Sequence, residues 1–309
     1  MPGEYRLLTY ADRDGPRAGI CVADIVYDAA EVANNAHFNS VLSVLDNWNV
    51  LDESFAAFAA AGGRGLTGKP LANLTLLPPI LYPGEIWAAG ANYNDHISEM
   101  ADETEYKAVN AKTISGGRAW HFAKTARSSV VGHESVNPLP DYSNMVDWEI
   151  ELAVVIGKTA SKVKAADAMD YVAGYTIAND LSARDHVVRP NIAADSPFRF
   201  DWLSHKGFDG ACPIGPWITP ARYVKDPHAL DMKLWIDGAL MQDSSTRHMI
   251  FSIGEQIEEI SARATMHPGD VILTGTPSGV GFSRGIFLKA GQKLRLWIDR
   301  LGELRHSFS

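Results

Sequence analysis

From its fifth residue the chain alternates between apolar and polar positions. Residues 5–10 (YRLLTY) predict a strand, residues 12–16 a turn, and residues 18–26 (AGICVADIV) a second strand. Between residues 29 and 61 the apolar positions shift to helical spacing, as in Val41, Val44, Leu45, Trp48 and Leu51. Gly62-Gly63 and Pro70 break that spacing, and residues 71–79 (LANLTLLPP) read as an extended connector. A boundary near residue 79 follows, with a small mixed domain over 1–79 and a larger one over 80–309.

The larger part is strand-rich. Short runs of β-branched and aromatic residues fall at 86–89, 149–156, 174–178, 230–236, 271–274 and 294–298. One helix is expected over 250–262, where Ile250, Ile253, Ile257 and Ile260 form a stripe. Strands and helices do not alternate regularly, which disfavours a doubly wound parallel sheet and leaves a β-rich mixed α/β chain. The polar stretch 99–115, before Gly116-Gly117, has the composition of a lid and equally of a solvated insertion.

Composition narrows the functional classes. Of 309 residues 46% are hydrophobic, enough for a real core, and the formal net charge is -9. Without a dense Lys/Arg cluster, that acidity argues against a nucleic-acid partner. It leaves room for a small anionic substrate drawn to a bound cation. Cys21 and Cys212 make neither a disulfide framework nor a zinc site. The N-terminal MPGEYR lacks the pattern of a signal peptide, and no apolar run approaches the ~20 residues that span a bilayer. The expectation is a cytoplasmic protein without a membrane segment.

Chemistry concentrates in residues 146–158 (VDWEIELAVVIGK). On a strand, residues two apart share a face, so Glu149 and Glu151 present paired carboxylates while Ile150, Leu152 and Val154 face a core. A cation between the two acids would turn their repulsion into binding. Residues 171–180 (YVAGYTIAND) read as a strand ending in a third acid, Asp180. Three carboxylates form a hard oxygen site suited to Mg²⁺, with Mn²⁺ or Ca²⁺ as substitutes. On spacing alone, the same Glu-x-Glu also describes a solvent-facing strand. Other motifs fail: Gly157-Lys158-Thr159 lacks the upstream glycine of a phosphate-binding loop, and Ser278 does not sit in G-x-S-x-G.

Five blocks resemble the fumarylacetoacetate hydrolase family in its order: 90–100 (GANYNDHISEM), 147–158 (DWEIELAVVIGK), 174–185 (GYTIANDLSARD), 206–217 (KGFDGACPIGPW) and 268–281 (PGDVILTGTPSGVG). The resemblance covers about residues 80–309, and the first segment is similar to the family's small N-terminal domain. It implies a twisted β-roll as the C-terminal domain and a homodimer. It also implies that Glu149, Glu151 and Asp180 are the metal ligands. His96 and Glu99 match the family's His-x-x-Glu pair, a proton-transfer dyad; three apart on a helical turn, they are neighbours. Lys206 matches a lysine beside the metal, where a cation stabilises an enolate. Tyr93, Lys124, Arg184 and Thr276 fall on substrate-binding positions. One departure is Val187, where many members carry a glutamine; Arg189 or Arg199 could substitute.

What the resemblance implies is a Mg²⁺-dependent hydrolase that cleaves a carbon–carbon bond in a 1,3-diketo acid such as an acylpyruvate or a diketo-deoxy sugar acid. The same enolate also serves a decarboxylase, an isomerase or a dehydratase of a 2-oxo acid. A non-catalytic metal- or ligand-binding relative is a third possibility, against which the dyad and Lys206 speak.

Overall fold

The structure, a computed structural model, describes residues 3–100 and 117–309. It opens with strands β1 (Arg6–Asp12), β2 (Gly15–Val22) and β3 (Ile25–Asp28), each antiparallel to the next. The single strand expected over 18–26 is therefore two. Ala23 and Asp24 take φ of 47° and 64° and reverse the chain in two residues, a turn that Asn-Gly would announce and Ala-Asp does not. Helices α1 (Val41–Leu45) and α2 (Trp48–Ala60) occupy the segment of helical spacing. The Ser40 hydroxyl caps α1 on the Ser43 amide. Val41, Val44, Leu45, Trp48, Leu51 and Phe55 are buried in one cluster with Leu7 and Ile20 of the sheet.

Next come β4 (Ile86–Ala89), α3 (Asn94–Met100), β5 (His121–Lys124), β6 (Ile150–Ile156), β7 (Val172–Asn179) and α4 (Trp202–Lys206). The chain ends through β8 (Cys212–Pro220), β9 (Asp231–Ile236), β10 (Ala239–Ser245), α5 (Ile253–Ser261), β11 (Val271–Leu273), β12 (Lys293–Ile298) and β13 (Gly302–Phe308). One large sheet runs β3-β2-β1-β8-β7-β6-β11-β4-β5, joining the N-terminal hairpins to the rest where Leu7 faces Ile218. A second sheet runs β10-β9-β12-β13. The strand-rich mixed α/β architecture is the one expected.

Strand β6, which carries Glu151, lies between two apolar layers, and all of its residues are buried. Ile150, Leu152 and Val154 pack with Met232, Leu234, Leu294 and Leu296 of the second sheet. Ala153 and Val155 face the cluster that holds α1 and α2. Each large aliphatic side chain so buried contributes roughly 1.5–3 kcal/mol, which makes β6 a stiff platform. Helix α5 begins at Ile253 rather than 250 because Ser252 and Glu255 close a capping box. Among the described residues, no helix is long and apolar enough to cross a membrane.

Candidate active site

Antiparallel register brings the acids together. Ile150 pairs with Asn179 and Glu151 with Ala178, so Glu149 falls opposite Asp180, whose amide donates to the Glu149 carbonyl at 2.9 Å. Glu149, Glu151 and Asp180 are buried, and each offers a carboxylate oxygen within 4.8 Å of the others. Asn179 Oδ1 accepts the Glu149 amide at 2.8 Å, while Asn179 Nδ2 donates to His306 Nε2 at 3.0 Å. The Gly275 amide donates to Glu151 Oε2 at 2.6 Å. Gly275 has φ 99°, and a Cβ there would lie 2.8 Å from the Asn92 Cβ, so only glycine presents this amide without strain.

Three cations surround the trio, the buried Lys124 and Lys206 and the half-buried Arg184. Lys206 Nζ bridges Glu149 Oε2 at 2.7 Å and Asp180 Oδ2 at 2.6 Å. Lys124 Nζ donates to Asp180 Oδ1 at 2.5 Å. Arg184 spans Glu149 Oε1 at 2.5 Å and Asp147 Oδ2 at 2.9 Å. Burial pushes the Glu149 carboxyl up, but Lys206 and Arg184 outweigh it and hold the group well below the usual range. Glu151 goes the other way: burial and the charges of Asp180 and Glu149 drive it up. Among the described residues, no lysine or arginine pairs with Glu151. Burial lowers Lys206, yet Asp180 and Glu149 more than reverse this and raise it. Hard oxygen donors from two strands, with one carboxylate lacking a counter-charge, fit a divalent cation.

His96 and Glu99 lie one turn apart on α3, with Nδ1 and Oε2 3.8 Å apart, an ion-pair contact rather than a hydrogen bond. His96 Nδ1 is buried without another partner, and the loop whose Gly275 amide binds Glu151 also gives its Gly279 amide to Glu99. Burial raises Glu99, but His96, the Gly279 amide at 2.9 Å and the Ser283 hydroxyl at 2.8 Å hold it at about 2. Glu99 is therefore an anion at neutral pH. Of the stretch expected as a lid or insertion, residues 101–115 lie outside the described residues.

The structure thus gathers Lys124, Arg184 and Lys206 onto the acids, while two other candidates are engaged elsewhere. The Thr276 hydroxyl donates to the Ile150 carbonyl at 2.9 Å and accepts from Gln242 Nε2 at 3.0 Å. Tyr93 is fully buried, with its hydroxyl 3.5 Å from Met232 Sδ. Arg189 and Arg199 bond carbonyls of their own loop, Phe198 and Ala194. Sequence reasoning missed four supports. Asp147 anchors Arg184, Asn179 holds the Glu149 amide, and Gln242 Oε1 accepts the Ile150 amide at 3.0 Å. Asn92 bolts the loop before α3 to the Thr274 and Phe251 carbonyls. Asp147 and Asn179 adjoin the acids in sequence, a usable signal; Gln242 sits on an ordinary polar strand and carries none.

The family described as fumarylacetoacetate (FAA) hydrolase C-terminal matches residues 85–309. The chain belongs to the fumarylacetoacetate hydrolase family. Its likeness to family members extends to named activities of several kinds. A mitochondrial oxaloacetate tautomerase of Homo sapiens is 40% identical over 235 residues, 75% of this chain and 69% of that one. A maleylpyruvate hydrolase from Sphingobium sp. SYK-6, solved with manganese(II) and pyruvate, is 31% identical with a TM-score of 0.74 over 98% of both chains. A 5-carboxymethyl-2-hydroxymuconate delta-isomerase from Mycobacterium smegmatis is 28% identical, with a TM-score of 0.72 over 98% of both. Within the family, this chain therefore sits among hydrolases, isomerases and tautomerases.

Proposed function

We propose that this protein catalyses proton transfer at the carbon next to the keto group of a small anionic 2-oxo acid, converting enol and keto forms. The observation that carries this reading is the buried trio Glu149, Glu151 and Asp180, joined to the His96–Glu99 pair by one loop that gives the Gly275 amide to Glu151 and the Gly279 amide to Glu99. The trio would hold the cation, Mg²⁺ by donor hardness, with Mn²⁺ or Ca²⁺ as substitutes. When bound, such a cation polarises the 2-oxo group and stabilises negative charge on its oxygen. His96 moves the proton, and the Glu99 anion orients its ring. Lys206 places positive charge where the enolate oxygen develops, which lowers the barrier. Lys124 and Arg184 act by fixing Asp180 and Glu149, Thr276 by fixing the glycine-rich loop, and Tyr93 by packing beneath it.

Tautomerisation leads because a 40% identical relative is named for it. Carbon–carbon hydrolysis of an acylpyruvate is the second reading, supported by the maleylpyruvate hydrolase that this chain matches over nearly its whole length. There His96 would deprotonate water instead of carbon. Following loss of enol absorbance from oxaloacetate, with Mg²⁺ and with chelator, tests the first reading. Metal-dependent acceleration is expected. Two acids formed from an acylpyruvate, with no acceleration of the oxaloacetate reaction, would replace it by the second.

A further inference from the structure

A strip of aromatic rings beside the carboxylates plays no part in the chemistry above. On β5, positions 122 and 124 share a face, and residue 120 just before the strand continues the same alternation. Lys124 on that face bonds Asp180, and the Phe122 ring lies 5.4 Å from Lys206 Nζ. Trp202 stacks on Phe122, 4.9 Å between centroids and 21° between planes. Trp120 meets Trp202 edge-on at 5.5 Å and 69°. The rings lead outward from the buried Lys206 through half-buried Phe122 and Trp202 to Trp120, which is 39% exposed. Trp120 is held in place by a bare backbone: a Cβ at Gly90 would meet its indole at 1.9 Å.

A row of indole and phenyl faces, anchored at the acid centre and, among the described residues, exposed at its far end, suits a flat apolar group rather than a second carboxylate. Aromatic pairs prefer stacked or edge-on contact and gain from it beyond area burial. We infer that this strip is the wall for the substrate's distal arm, and that the preferred substrate is a 2-oxo acid bearing an aryl group. The inference rests on the proposed function for the position of the 2-oxo acid end.

The test compares phenylpyruvate with oxaloacetate as substrates of the Mg²⁺-loaded protein, by kcat/KM for enol–keto conversion. Phenylpyruvate should be favoured about tenfold, the equivalent of one good ring contact. Trp120→Ala should abolish that preference through KM with little change in kcat, and Trp120→Phe should retain most of it. Equal kcat/KM for the two substrates, or equal slowing of both by Trp120→Ala, overturns the inference. Calorimetric binding of phenylpyruvate against pyruvate separates this from failure of the proposed function. If neither substrate turns over, the function is lost, whereas tighter phenylpyruvate binding that Trp120→Ala removes still supports the wall and equal binding refutes it. Melting temperatures of both variants near that of the parent exclude a folding defect.

Discussion

Replacing Lys206 by methionine removes the ammonium that bridges Glu149 and Asp180 at 2.7 and 2.6 Å while keeping most of the side-chain volume. The group is 4% exposed, so water cannot take over its role. Breaking a buried ion pair by removing one partner costs about 3–5 kcal/mol, because the remaining charge stays buried. Lys124 still holds Asp180 and Arg184 still holds Glu149, which puts the expected loss near the lower figure, ~3 kcal/mol. At roughly 2–4 °C per kcal/mol for a chain of this class, the melting temperature should fall by about 6–12 °C in chelator. Divalent cation should restore much of it, since ligand at a hundred times its Kd stabilises by about 2.7 kcal/mol. Thermal unfolding of both proteins, with chelator and with Mg²⁺, is the assay. A loss below about 1 kcal/mol in chelator, or no rescue by metal, would refute the reasoning, because the acids would then be neutral or solvated.

His96→Ala should reduce kcat by about 10²–10⁴-fold while calorimetry still shows cation binding; unchanged turnover removes the dyad from the mechanism. Gly275→Ala, at φ 99° with Asn92 in the way, should destabilise by more than about 1 kcal/mol and weaken cation binding through Glu151; an unchanged melting curve and affinity contradict this. Acid should unfold the protein early. Burial lowers His121 and His205 to about 4 and His306 to about 3, with the Lys206 charge adding to the effect at His205. These folded-state values lie below the ordinary value near 6.5, so the unfolded chain takes up protons first as pH falls. Their contribution is complete above about pH 6.5 and is lost toward pH 3–4, on the order of 2 kcal/mol per group by pH 5. Urea unfolding at pH 7.5 and 5 measures it, and equal stability at both refutes it.

Strand periodicity made the shared face of Glu149 and Glu151 legible, but the apolar residues 150, 152 and 154 mark the opposite face, so spacing alone left the burial of the acids open. That Asp180 lands opposite Glu149 is a matter of register, which neither strand displays by itself. The cations Lys124, Arg184 and Lys206 were reachable only through family resemblance, since a lone basic residue reads as solvated surface. Gln242 and Asn92 were illegible: their meaning lies in backbone groups far away in sequence that fall within reach only after folding. Two elements were absent from the sequence expectation. Strand β8 carries Pro213, Pro216 and Pro220, which argue against a central strand, yet it lies between β1 and β7. The Ala23-Asp24 turn hid inside an apolar run for the opposite reason, having no glycine or asparagine to mark it.

Every proposed step depends on Glu149, Glu151 and Asp180 together holding one hard cation. Anomalous diffraction from a crystal soaked in manganese addresses it directly. A single strong peak per chain is expected, within bonding distance of an oxygen from each of the three side chains. A peak elsewhere, or none while Glu149 and Asp180 keep only their lysine and arginine partners and Glu151 only the Gly275 amide, would contradict it.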